Sequence, residues 1–101
     1  MPYSSTTATS TSASGEATVT LFPHGRSLQL TITPISAAGT ATITAKPAGA
    51  SGFEPVYDHT GAALAGVSLA SQITYVLSGA YDDIKVVSTN GADTFTLTAG
   101  V

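Results

Sequence analysis

The chain has 101 residues, a formal net charge of −3 and only 9% charged residues, which allows one modest domain and argues against nucleic-acid binding, since phosphate affinity comes from clustered Lys and Arg. It has no cysteine, so neither disulfides nor a thiolate metal site can brace it. No run of 18 apolar residues and no apolar signal-like stretch at the N-terminus are present, so neither a membrane span nor conventional secretion is expected. Thr, Ser and Ala together make up 45 of the 101 residues, a composition that covers a pleated sheet better than a helix.

Residues 4–14 read SSTTATSTSAS, a low-complexity tract with no side chain large enough to anchor a core. The domain expectation is therefore a flexible Ser/Thr/Ala-rich arm over 1–15 and a β domain over 16–101. The arm is expected to be disordered in the isolated domain, and its removal to leave the rest folded.

From Glu16 the pattern becomes strict alternation. In ATVTLF, Ala17, Val19 and Leu21 share one face; in SLQLTIT, Leu28, Leu30 and Ile32 do the same after a turn at Pro23-His24-Gly25-Arg26, so the two runs read as a hairpin. TATITAK places Ala41, Ile43 and Ala45 inward. FEPVYD is a short strand whose Pro55 suits an edge, followed by a turn at His59-Thr60-Gly61 and a short strand over Val67–Ala70. ITYVLS and YDDIKVVST follow, with Ile73, Ile84 and Val86 directed inward. Asn90-Gly91 signals a tight turn because both residues tolerate positive φ, and it leads into TFTLTAG with Phe95, Leu97 and Ala99 on one face. Turns every 8 to 12 residues and no helical period predict an all-β fold, a single antiparallel β-sandwich of seven to eight strands with an extended N-terminal arm.

No catalytic, cofactor-binding or metal site is assigned. Gly66-Val67-Ser68-Leu69-Ala70 partly matches a nucleophile elbow, but that motif needs a strand, a sharp turn and a helix, and Ala70 stands where glycine is required. Asp82-Asp83, with Asp58 and Glu54, offers oxygen ligands without the spacing of a calcium loop. His24 and His59 fall in turns, where a solvated ring is the ordinary outcome. Tyr57, Tyr75 and Tyr81 could form a sugar-stacking face; the alternative is core rings whose hydroxyls reach the rim. The expectation is therefore no enzyme activity and no cofactor.

The Ser/Thr/Ala/Gly-rich β pattern, the low charge, the absence of cysteine, the arm and the segment LSGAYDDIKVVSTNGADTFTLTAG resemble small accessory virion proteins of tailed bacteriophages, namely capsid decoration proteins and tail or fibre domains. The resemblance covers most of residues 16–101 and carries over no functional residue. It implies a virion structural protein that binds a major capsid or tail protein, forms a homo-oligomer, assembles in the host cytoplasm and is released with the particle. It implies no nucleic-acid or membrane partner. The alternative is a β-sandwich binding module for a glycan or a host cell surface. Exposed coplanar tyrosines at one end favour the module; an apolar or threonine-rich flat face with an ordered arm favours assembly.

Overall fold

In a computed structural model, the described residues are 7–20, 28–47, 49–58, 60–77 and 81–100. They form nine strands and no helix: β1 (Thr7–Thr11), β2 (Glu16–Thr20), β3 (Leu28–Ser36), β4 (Thr40–Pro47), β5 (Glu54–Pro55), β6 (Ala65–Ser68), β7 (Ile73–Leu77), β8 (Tyr81–Ser88) and β9 (Thr94–Gly100). Among these residues no helix is long and apolar enough to cross a membrane.

The strands build two antiparallel sheets packed face to face, the predicted β-sandwich. The front sheet has the order β1-β9-β3-β7; the back sheet has the order β2-β8-β4-β5, with β6 also paired to β4. Alternation along each strand sends one set of side chains between the sheets. That set includes Val19, Leu30, Ile32, Ile43, Ile84, Val86, Phe95 and Leu97, all buried as the periodicity predicts, and the small Ala17, Ala41, Ala45 and Ala99. Ile73 is only half-buried, packed against this core from the end of an outer strand. Leu21 and the side chain of Leu28 lie outside the described residues.

Three expectations change. The runs around Val19 and Leu30 are not a hairpin: β2 pairs with β8 in the back sheet, while β3 pairs with β7 and β9 in the front sheet. Both runs are amphipathic, and crossing between layers lets each bury its apolar face against the opposite sheet. The Asn90-Gly91 turn likewise joins β8 to β9 across the layers. It closes with Asp93 N–H donating to Asn90 O at 3.1 Å, and neither Asn90 nor Gly91 has positive φ. A hairpin turn of the primed type is not required where no hairpin forms. Finally, Thr7–Thr11, within the segment assigned to an arm, is a strand paired with β9 from Thr7↔Gly100 to Thr11↔Thr96.

β1 forms because the free edge of β9 offers it a complete ladder and threonine tolerates extended backbone. Its inward side chains are small, with Ala8 packed against the core. Two register shifts fall at proline, between Pro34 and Ser36 in β3 and between Lys46 and Pro47 in β4; a third, between Ala41 and Thr42 where β4 pairs with β6, leaves out Gly66 at φ +72°. Proline lacks the N–H that a regular ladder needs, and a bulge absorbs the missing donor.

Candidate functional site

At one end of the sandwich three connections converge on a single carboxylate. Asp93 sits between β8 and β9 and is only 3% exposed. Its Oδ2 accepts hydrogen bonds from Ser88 Oγ at 2.5 Å and Gly39 N at 3.3 Å. Its Oδ1 accepts from Ala38 N at 3.2 Å and Asn90 Nδ2 at 3.3 Å. The β3–β4 loop is thereby held to the β8–β9 turn. The β1–β2 connection joins the same knot, because Ser12 Oγ donates to Asp93 O at 3.3 Å and Ser88 N donates to Gly15 O at 2.6 Å. The Ser88 hydroxyl, followed by the Ala38 and Gly39 amides, holds the Asp93 carboxyl below the usual carboxylate range against the opposing effect of burial.

Two glycines make room for this arrangement. A Cβ on Gly39 would lie 2.9 Å from Asp93 Oδ2, and one on Gly15 would lie 2.9 Å from Asn90 O. Gly15 also adopts φ +82°, a conformation that an L side chain resists. A cavity of about 480 Å³ opens beside the knot, lined by Ile35, Ala37, Ala38, Asn90 and Asp93 among others. With its four lone-pair positions occupied by protein donors, Asp93 has nothing left for a ligand there. The sequence reading did not single out Asp93. The available signal was an Asx residue closing the Asn90-Gly91 turn, opposite the unpaired amides of an Ala-Ala-Gly loop.

The sequence candidates are scattered. Ser68 is an exposed hydroxyl in β6 that accepts from Ala70 N at 3.2 Å, and His24 and His59 lie outside the described residues. Asp82 Oδ2 accepts from Gly49 N at 3.2 Å, whereas Asp83 pairs with Lys46 Nζ at 3.1 Å. That Lys46 contact, with a smaller contribution from the Thr20 hydroxyl, lowers the Asp83 pKa. Asp58 Oδ1 organises its own loop by accepting from Thr60 N at 2.8 Å and Ala62 N at 3.0 Å. Glu54 is exposed at the edge in β5. Among the described residues no group of three or more His, Asp or Glu is disposed to hold a metal. Tyr57 is 58% exposed, while Tyr75 and Tyr81 are half-buried against the core. Burial, and then the nearby Asp58 charge, push the Tyr75 hydroxyl above its ordinary pKa.

The two outer faces differ in kind. The four strands of the front sheet contain no charged residue. One row, Thr9–Thr98–Thr31–Thr74, runs from edge to edge. Its hydroxyls meet at 3.4 Å between Thr9 and Thr98 and at 3.1 Å between Thr31 and Thr74. A second row, Thr11–Thr96–Thr33, ends on Gln72, whose Oε1 accepts from Thr33 Oγ1 at 3.2 Å. The back sheet holds Glu16, Lys46, Glu54, Asp82, Asp83 and Lys85. There the Phe53 ring lies under Lys85 Nζ at 4.4 Å and Lys46 Nζ at 5.6 Å from its centroid, cation–π contacts that tie the two lysine heads to the β4–β5 connection.

No protein-family model matches the chain, and no curated protein sequence matches it. Its fold is similar to those of solved structures at low sequence identity. The SPBc2 prophage-derived protein YomS matches over 100% of this chain and 96% of its own, with TM-score 0.58 and 10% identity. A Bacillus endospore appendage structure, described as a family of disulfide-linked pili, matches over 96% of this chain and 81% of its own, with TM-score 0.53 and 16% identity. Chitosan-binding module 1 of a chitosanase/glucanase from Paenibacillus sp. IK-5 matches over 92% of this chain and 75% of its own, with TM-score 0.58 and 12% identity. At these identities the likeness is one of fold: the chain is a β-sandwich of a kind found in prophage, pilus and carbohydrate-binding proteins.

Proposed function

We propose that the chain is a virion structural protein, a capsid decoration or tail accessory subunit, which binds neighbouring subunits through its front sheet. The observation that carries this reading is the segregation of charge. Every acidic or basic side chain among the described residues lies in the back sheet or in a loop, and the front sheet presents rows of threonines together with the uncharged Gln29, Ile35 and Val76. A face with no charge is inexpensive to desolvate, and its hydroxyls can pair across an interface. The ordered β1 strand, which widens that face by one row of threonines, supports the same reading.

The test is a pair of glutamates, Thr31→Glu with Thr98→Glu, placed side by side in the central row. The tagged chain recovered from its native source is imaged by electron microscopy. The reading expects the intact chain on a regular particle and the folded variant, checked by circular dichroism, absent from it. Equal occupancy by the two chains refutes it.

Tyr57 supports a second reading, a glycan-binding module, because it is a large aromatic residue left 58% exposed, and an exposed ring face can stack on a sugar. Calorimetry with soluble chitosan and xylan oligosaccharides tests it: saturable heat lost in Tyr57→Ala supports the module, and no heat with either glycan removes the reading for these sugars.

A further inference from the structure

The front sheet is uncharged at its edges as well as on its face. Among the described residues its outer strands are β1 and β7, each five residues long. Both pair inward without a register shift, and neither contains a charge or a proline. Charged side chains, proline and bulges are the means by which soluble proteins keep sheet edges from pairing with other chains. The outer strands of the back sheet do carry them: Glu16 opens β2, and β5 is Glu54-Pro55.

The two unprotected edges are also complementary to each other. Three antiparallel steps, β1 to β9 to β3 to β7, leave β1 and β7 running in opposite directions. A second copy placed alongside by translation therefore brings its β1 antiparallel to the first copy's β7. The row Thr9–Thr98–Thr31–Thr74 reaches both edges, so the neighbour's Thr9 can continue it beyond Thr74. The donors face the right way on β1. Ser12 N donates inward to Phe95 O at 2.8 Å, and alternation along an antiparallel strand turns Ala8 and Ser10 inward as well, leaving the amides of Thr7, Thr9 and Thr11 directed outward.

Resting on the assembly reading above, we propose that the partner of this surface is a second copy of the chain, docked with β1 of one copy against β7 of the next so that the front sheets become continuous. Because each copy uses two different edges, the contact is heterologous and repeats into a ring or a filament. The chain's net charge of −3 disfavours contact elsewhere on the surface, and the charge-free sheet is where that repulsion is weakest.

The experiment is a mixing test on the full chain by native mass spectrometry and sedimentation velocity. Thr9→Pro removes an outward amide from β1 without removing a ladder bond to β9. Thr74→Lys with Val76→Lys blunts β7. The inference expects the unmodified chain to form concentration-dependent oligomers and each edge variant alone to be monomeric. It expects their equimolar mixture to form a one-to-one dimer, since each variant keeps the edge that the other lacks. If Thr9→Pro does not fold, Thr7→Lys with Thr9→Lys takes its place. A β7 variant that still dimerises alone overturns the inference in favour of a two-fold β1–β1 contact. A mixture that stays monomeric overturns it too, since loss of face docking, unlike loss of an edge, cannot be rescued by mixing. The particle-binding result with Thr31→Glu and Thr98→Glu stands or falls separately.

Discussion

Ser88 Oγ donates to Asp93 Oδ2 at 2.5 Å, and this bond joins the last residue of β8 to the residue that precedes β9. The same serine oxygen accepts from Asn90 N at 3.0 Å, so one hydroxyl both shapes the turn and helps hold the carboxylate ionised. A carboxylate that collects four donors at the end of a sandwich is a clamp for loops which have no ladder of their own.

Acid should therefore loosen the fold. Asp93 and Asp83 both have pKa values lowered in the folded chain. Each contributes stability that is present above the ordinary aspartate pKa of about 3.9 and lost as pH falls through the lower folded value. The Asp83–Lys46 pair is partly exposed, at 18% and 28% of the side chains, and exposed pairs contribute little. Asp93 should dominate. The melting temperature is expected to be flat near neutrality and to fall below about pH 4. Asp93→Asn should melt lower at pH 7 and show a shallower acid limb, because an amide turns an N–H toward donors that require an acceptor. An unchanged acid limb in Asp93→Asn contradicts the clamp.

Gly15→Ala should cost about 1–3 kcal/mol, the usual range for forcing a side chain into left-handed backbone. The positive φ at Gly15 is accompanied by two backbone neighbours, Asn90 O at 2.9 Å and Gly91 Cα at 3.1 Å from the added Cβ. Backbone cannot swing aside as a side chain can. Gly61, also at positive φ but with nothing within 4 Å, separates the two contributions. Urea denaturation of both alanine variants should show the larger loss at Gly15.

Leu30→Ala should cost about 2–5 kcal/mol, because Leu30 is fully buried in β3, the strand flanked by both β9 and β7. Thr31→Ala, its outward neighbour, removes one hydroxyl contact on the exposed face and should cost under about 1 kcal/mol. Chemical denaturation that ranks these two in the opposite order places the core on the wrong face of β3.

The faces of the strands were legible in the sequence, and their partners were not. Period-2 alternation at Val19, Leu30, Ile43, Ile84 and Leu97 reports which side chain faces inward, since burial acts on each strand separately. Nothing local distinguishes a hairpin from a crossing between layers, so the β2–β3 hairpin expectation fails, while the tight turn at Asn90-Gly91 forms without the positive φ expected of it. Leu64 and Leu69 were passed over because they come from irregular chain around β6 and are buried by tertiary contact alone. Asp93 was hidden for a related reason: two of the segments it joins, at Ser12 and at Ala38-Gly39, are far from it in the chain. The strand at Thr7–Thr11 has no apolar alternation to announce it. It is held by the β9 edge, a property of the assembled sheet.

That dependence yields a prediction about β1. Its side chains bury little, so its attachment rests on main-chain hydrogen bonds, each contributing about 0.5–1.5 kcal/mol net, and on Ser12, which is fully buried at the knot. Amide exchange in dilute solution should therefore alternate along the strand. Ala8, Ser10 and Ser12 should be protected, with Ser12 the slowest because its N–H bonds Phe95 O and its side chain bonds Asp93 O. Thr7, Thr9 and Thr11 should exchange quickly. Deleting residues 2–14 should lower the melting temperature, because it strips the ladder from β9 and takes Ser12 out of the clamp, in contrast to the neutral deletion expected of a disordered arm. Uniformly fast exchange from Thr7 to Ser12, with no loss of stability on deletion, shows that β1 is not part of the monomer's sheet and removes the basis for its pairing with β7 of a neighbour.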